Sequence, residues 1–252
     1  MTLARDVVRA LDPAMIAVDA GITPDPWQAT LLRERPRRSL LLCSRQSGKS
    51  TVTALTALDT AIYAAPALVL LLSPSQRQSA ELFRVVMNFH AKLEGAPALN
   101  AESVLKAELT NGSRILALPG TERTIRGYAA ADLVVIDEAA RVEDELLAAV
   151  RPMLATSTGG GRLIALTTPA GKRGWFFEAW TGGDDWHRTK VAASDCPRIT
   201  QAFLDEEMKA LGAQKFSEEY GLEFLDPDEA VFPTAIIDRA FSNKQVKPLW
   251  KI

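Results

Sequence analysis

Four short, wholly apolar runs, Leu40–Leu42, Leu68–Leu72, Leu133–Ile136 and Leu163–Leu166, set the tightest limit on how this chain can fold. A run that is apolar at every position has no face to turn to water. It reads as a strand covered on both sides, as in a parallel sheet between layers of helices. The intervening segments supply the helices. Leu55, Leu58 and Ile62 recur at helical spacing after the first run, and Leu82, Val85, Val86 and Phe89 do so after the second. Strand and helix therefore alternate from about residue 39 to about residue 93, the pattern of right-handed β-α-β crossovers. Asn111-Gly112, between Val104–Leu109 and Arg114–Leu118, predicts a hairpin turn. With 47% apolar and 24% charged residues in 252, there is material for a full core.

The two ends read differently. Residues 1–36 look helical, with breaks at Pro13, Gly21 and the Pro24/Pro26 pair. From Thr200 onward Phe203, Met208 and Leu211, then Phe216 and Tyr220, predict more helix, and the tail from Asp226 is irregular and Pro-punctuated. The expected division is an N-terminal helical segment at 1–36, an α/β core at 37–195, and a helical lid or linker subdomain at 196–252. A net charge of −2 gives no global field to draw the chain onto nucleic acid or membrane. No run approaches the ~18 apolar residues of a membrane span. Cys43 and Cys196 form no CxxC pair, which argues against a zinc site or a disulfide framework.

The segment Cys43–Thr51, CSRQSGKST, follows one apolar run and opens a helix. In that setting the loop and helix-start N–H groups of Ser44, Arg45, Gln46, Ser47, Gly48, Lys49, Ser50 and Thr51 can cradle phosphates, with the helix dipole behind them. Lys49 is placed to reach β- and γ-phosphates, Ser50 to hold Mg²⁺, and Gly48 to let the backbone approach closely. The common G-x-x-x-x-G-K-[ST] pattern would put Gly at 43. Here Cys43 stands there and reads as a small buried residue ending the strand. Downstream, LVVIDEAA at 133–140 is a buried strand ending in Asp137-Glu138. Such a strand delivers its carboxylates to the carboxyl edge of the sheet, where ligands bind in open α/β folds. Asp137 would hold Mg²⁺ and Glu138 would polarise an attacking water. Read alone, the acidic pair could equally cap the next helix; the upstream cradle favours the hydrolytic reading.

Three further motifs lie in order around these: PDPWQ at 24–28, TIRGY at 124–128 and ALTTPAGKRGWF at 165–176. Together with CSRQSGKST and VVIDEAA, they make the chain resemble the ATPase portion of the large terminase subunit of tailed bacteriophages, from about Pro24 to about Ala240. The resemblance implies a three-layer P-loop NTPase of the additional-strand (RecA/ASCE-like) type. Its sheet would be mostly parallel with helices on both faces, followed by a small C-terminal helical subdomain. It further implies ATP and Mg²⁺ as ligands and ATP hydrolysis driving double-stranded viral DNA into a procapsid. The implied partners are other copies of the chain in a ring (a pentamer in the family), the procapsid portal and the small terminase subunit. The implied setting is the host bacterial cytoplasm, transiently docked on the procapsid, without a membrane.

By the same resemblance, Trp27 and Gln28 look like an adenine-sensing element, the Gln amide pairing with adenine N6 and N7. Arg126 looks like an arginine finger reaching into a neighbouring subunit's site, and Arg45 is its rival in cis. A loop salt bridge would account for Arg126 equally well on sequence grounds. Thr167 and Thr168 match the coupling motif that senses the γ-phosphate, although two threonines ending a strand are also ordinary β-formers. The stretch 223–241 resembles the connection to the family's nuclease domain, which would begin beyond Ile252, so no nuclease activity is expected from this chain. Asp226, Asp228 and Glu229 read as a solvated linker. Arg33, Arg35, Arg37 and Arg38, and Lys172-Arg173, are the basic clusters that could neutralise DNA phosphates, or simply solvated faces. Two alternatives remain open. One is a superfamily 2 helicase, which would need a second RecA-like domain. The other is an assembly module that binds ATP without productive hydrolysis.

Overall fold

Successive residues of the apolar runs point to opposite faces of one sheet, and each face has its own apolar cluster. Leu41, Val69, Leu71, Val135, Ile164 and Leu166 lie in one, Leu40, Leu42, Leu70, Leu72, Val134, Ile136 and Leu163 in the other. That division gives three layers. The protein is represented by a computed structural model that describes residues 3–183 and 185–226. Its elements run α1 (Leu3–Leu11), α2 (Met15–Asp19), α3 (Pro26–Glu34), β1 (Arg38–Cys43), α4 (Lys49–Tyr63), β2 (Leu68–Ser73) and α5 (Gln76–His90). There follow β3 (Leu99–Ser103), β4 (Lys106–Leu109), β5 (Arg114–Pro119), α6 (Glu122–Ile125), β6 (Leu133–Asp137) and α7 (Asp144–Ala155). The last are β7 (Arg162–Thr167), α8 (Gly174–Thr181), β8 (His187–Val191) and α9 (Gln201–Glu219).

The sheet order is β3-β4-β5-β2-β6-β7-β1-β8. From β5 to β8 every neighbouring pair is parallel, while β3 and β4 add an antiparallel hairpin at one edge. The turn at Asn111-Gly112 joins β4 to β5 as the sequence predicts. Gly112 takes φ +84°, and the Asn111 amide donates to Ala61 O at 2.9 Å. The preceding strand is shorter than the run Val104–Leu109 suggests: Val104 is exposed and lies between β3 and β4.

All four apolar runs lie inside strands, and the two helical patterns are α4 and α5. Helix α4 is buried along most of its length, including Thr53, Thr56, Asp59 and Thr60. Its threonines remain satisfied because each hydroxyl donates to a carbonyl one turn back, such as Thr56 to Val52 O at 2.8 Å. Asp59 is paired with Arg35 at 2.7 Å. The segment 1–36 contributes Ile16, Ala17, Ala20, Leu31 and Leu32 to the same apolar cluster as α4. Helix α9 is broken in backbone geometry at Gly212 (φ 75°, ψ 162°), and its Met208 and Leu211 are exposed. Of the tail, Asp228 and Glu229 and the stretch 227–241 lie outside the described residues.

Candidate active site

Strand order decides what can meet at the top of the sheet. β1 ends in the loop Ser44–Gly48, β6 ends in Asp137-Glu138, and β7 lies between them. Two strand steps place the ends about 10 Å apart, a gap that a lysine and a glutamate can close from opposite sides. They do so here: Lys49 Nζ lies 3.0 Å from Glu138 Oε1. Glu138 sits in the left-handed region (φ 51°, ψ 45°), a conformation that turns its side chain out of the strand and towards the loop.

The loop has the features of a phosphate cradle. Gly48 has φ +88°, and a Cβ placed there would come within 2.6 Å of Gln28 Nε2. Ser47 Oγ donates to Ser44 O at 2.8 Å, and Ser44 N donates to Val191 O of β8 at 2.9 Å, so β8 fixes the loop's base. Ser44 Oγ is buried with no partner among the described residues. Gln46 turns through positive φ, and α4 begins at Lys49 with its N-terminus on the loop. Gln46, Gly48, Lys49, Ser50 and Thr51 line a cavity of about 560 Å³. Ser50 and Asp137 share the lining of a neighbouring cavity of about 550 Å³. A hydroxyl and a carboxylate facing one space suit a Mg²⁺ ion that takes its remaining ligands from phosphates and water. Burial, reinforced by Glu138, pushes the Asp137 carboxyl up to about 6.

That shift has a measurable consequence. Folding raises this pKa, so the carboxyl supports the fold while protonated and loses that advantage as pH climbs through about 6. Asp137→Asn is expected to stabilise the nucleotide-free protein by about 1–2 kcal/mol at neutral pH. The gain should vanish near about pH 4. Thermal melts at the two pH values check it; equal melting temperatures at neutral pH contradict it.

The sequence expectations around the cradle fare unevenly. Gln28 is buried against the loop, but both ends of its amide are engaged: Nε2 donates to Gly48 O at 3.0 Å and Oε1 accepts from Asp25 N at 2.9 Å. In this structure it braces the loop, and it also lines the same cavity as Gln46 and Gly48. Trp27, on α3, packs against the core and is not among the residues lining the cavity. Arg45 turns away from the cradle and makes a two-point contact with Glu219 of α9 at 2.9 and 3.3 Å. Arg126 follows β5, four strand steps or about 19 Å from β1. It is exposed and paired with Glu122 one turn back. Thr167 and Thr168 are buried at the end of β7; Thr167 Oγ1 accepts from Ala140 N at 3.4 Å, and Thr168 Oγ1 from Arg141 at 3.2 Å. Cys43 is fully buried, and burial pushes its thiol up to about 12, the inert thiol expected of a strand end. Of the basic residues, Arg33 pairs with Asp12 and Lys172 with Asp226.

Three residues central to the geometry carry no local signature in the sequence. Arg198 makes a two-point pair with Asp25, both bonds 2.7 Å, and donates to Ser47 O at 3.2 Å, which ties α3 and the post-β8 segment to the cradle. Glu219, nearly inaccessible, meets Arg45, Lys215 at 3.3 Å and Arg141 at 3.9 Å. Burial works to raise its pKa, yet Arg45 and Lys215 hold it below the usual carboxylate range. Arg141 places Nη1 2.5 Å from Glu138 Oε2.

The same architecture is found among known proteins. The ATPase domain of the large terminase of Thermus phage P74-26 superposes with a TM-score of 0.68 at 22% identity, over 82% of this chain and 96% of that one. The large terminase of bacteriophage HK97 gives 0.65 at 18% identity over 88% of this chain, which spans 55% of that protein. The large terminase of the thermophilic bacteriophage D6E in complex with ATP-gamma-S gives 0.57 at 11% identity over 76% of this chain and 48% of that one. No curated sequence relative was found. The family model described as terminase large subunit, T4likevirus-type, N-terminal, matches residues 40–239, about four-fifths of the sequence. This chain therefore belongs to the family of N-terminal portions of large terminase subunits.

Proposed function

We propose that this chain hydrolyses ATP to drive double-stranded DNA into a procapsid, as the motor portion of a large terminase subunit. The observation that carries the reading is the meeting of Lys49 and Glu138 at 3.0 Å from strands separated by β7. Such convergence supports a reading in which Lys49 binds phosphate and Glu138 polarises water around one triphosphate. Family membership supports the same reading, as does the nucleotide bound by the D6E protein.

In this reading Ser44–Thr51 wrap the phosphates and Lys49 leaves Glu138 for the β- and γ-phosphates. Ser50 and Asp137 hold Mg²⁺, which when bound neutralises phosphate charge. Glu138 orients the attacking water. Arg126, exposed and paired only with Glu122 among the described residues, enters a neighbouring copy's site. Thr167 and Thr168 pass the loss of the γ-phosphate towards α9. Gln28, bonded to Gly48 O and lining the cavity, links adenine recognition to loop shape. Residues 37–195 act as the hydrolytic core, 1–36 as the adenine-side segment and the part after 195 as a lid. The copies act as a ring, docked on the portal in the host cytoplasm.

Phosphate release and duplex movement are measured together to test this. ATP should support translocation of a duplex whose strands stay paired. Strand separation would favour a helicase, and nucleotide binding without phosphate release would favour an assembly module.

A further inference from the structure

Glu138 is held on both sides. Lys49 occupies Oε1 at 3.0 Å and Arg141 occupies Oε2 at 2.5 Å. Each contact takes up an acceptor position of the carboxylate and opposes its turning towards a water molecule. Lys49 has an obvious reason to leave when a triphosphate arrives. Arg141 does not, since it stands on the short turn Ala139–Arg141 directly after Glu138 and outside the cradle. Its guanidinium has two other acceptors in range. Nη1 also donates to Thr168 Oγ1 at 3.2 Å, and Nη2 faces Glu219 Oε1 of α9 at 3.9 Å. Glu219 is the most enclosed of these carboxylates and is shared with Arg45 of the cradle loop.

We propose that Arg141 is a positioning residue that parks Glu138 in the resting site and releases it by transferring its guanidinium to Glu219 on α9. The proposal rests on the reading of Glu138 as the water-orienting group. Glu138 is met through Nη1 and Glu219 faced through Nη2, and a shortening of about 1 Å would make the contact with Glu219 a full hydrogen-bonded pair. Any approach of α9 to the sheet, or any loss of Arg45 from Glu219 when the cradle fills, favours the transfer. Thr168 keeps the guanidinium in place during the exchange. Readiness for hydrolysis is thereby tied to the position of α9.

Steady-state phosphate release by the full chain, at saturating and limiting ATP, tests the idea on Arg141→Ala, Glu219→Gln and the double variant. Arg141→Ala should raise unstimulated kcat about fivefold with KM for ATP little changed, the population change that one partly exposed ion pair can supply. Glu219→Gln, which removes the receiving charge, should lower kcat. The double variant should follow Arg141→Ala. Opposite signs with this order of dominance are not produced by a merely structural role. A fall in kcat for Arg141→Ala, or additive effects, overturns the proposal. Adding Glu138→Ala to Arg141→Ala separates the two readings: an undiminished fast rate in that pair would refute the role of Glu138 itself, whereas a collapse of the rate leaves the arginine's effect to be judged alone. Should Arg141→Ala fail to fold, Arg141→Gln carries the same expectation.

Discussion

With Glu138 replaced by alanine, the protein keeps its hold on ATP and loses about two to four orders of magnitude of turnover. Both effects are electrostatic. Glu138 is the resting partner of Lys49, so its removal frees the ammonium for phosphate and leaves affinity equal or tighter. Turnover falls because the neighbouring carboxylate, Asp137, is otherwise engaged: it is bonded to the Glu138 backbone N–H at 3.0 Å and shares its cavity with Ser50. Equilibrium binding of a fluorescent ATP analogue and phosphate release on the same samples check the two halves. Ordinary turnover in the variant would defeat the assignment of the water-orienting group.

Arg126→Ala should abolish the hydrolysis that assembly adds, by a factor on the order of 10³ or more, while nucleotide affinity is retained. Its basis is exposure: Arg126 lies past β5 and α6 with its side chain largely in solvent, and it lines neither cavity beside the cradle. A side chain so placed is available to another copy's site. Its present pairing with Glu122 on the same short helix is a surface contact worth little, so it is readily exchanged for a phosphate. Titrating the variant into a fixed amount of wild type distinguishes the cases. A shared site predicts that the total rate falls as poisoned neighbours accumulate. A total rate that stays constant contradicts it.

The parts of this structure that could be read from the sequence are those fixed by local pattern. Leu68–Leu72 has no polar residue and is buried throughout, and Gly48 needs its positive φ wherever such a loop precedes a helix. β8 escaped notice because it is an edge strand, His187–Val191, with three ionisable residues in five and no apolar run. β3 escaped for a related reason, since every one of its residues is exposed. The missed site residues share a different property. Arg198 meets Asp25 and Arg45 meets Glu219 across more than 170 residues of chain. Charges are legible as charges, but which two will meet is settled by the packing of α3 and α9 against the cradle. Gln28 shows the limit of the motif itself: the resemblance marks it as adenine-sensing, but only the geometry shows its amide bonded to Gly48 O and Asp25 N.

The sheet ends in β8 on one side, with His187, Arg188 and Lys190, and on the other in β3, whose register slips between Leu99 and Ala101. Neither border is a flat, apolar template, and both carry the charge or irregularity that discourages strand addition. Copies of this protein would then meet through side chains and not by extending one continuous ribbon from molecule to molecule. Contacts of that kind can loosen and re-form without stripping amide groups of their partners, a mechanical freedom that the proposed ring would use.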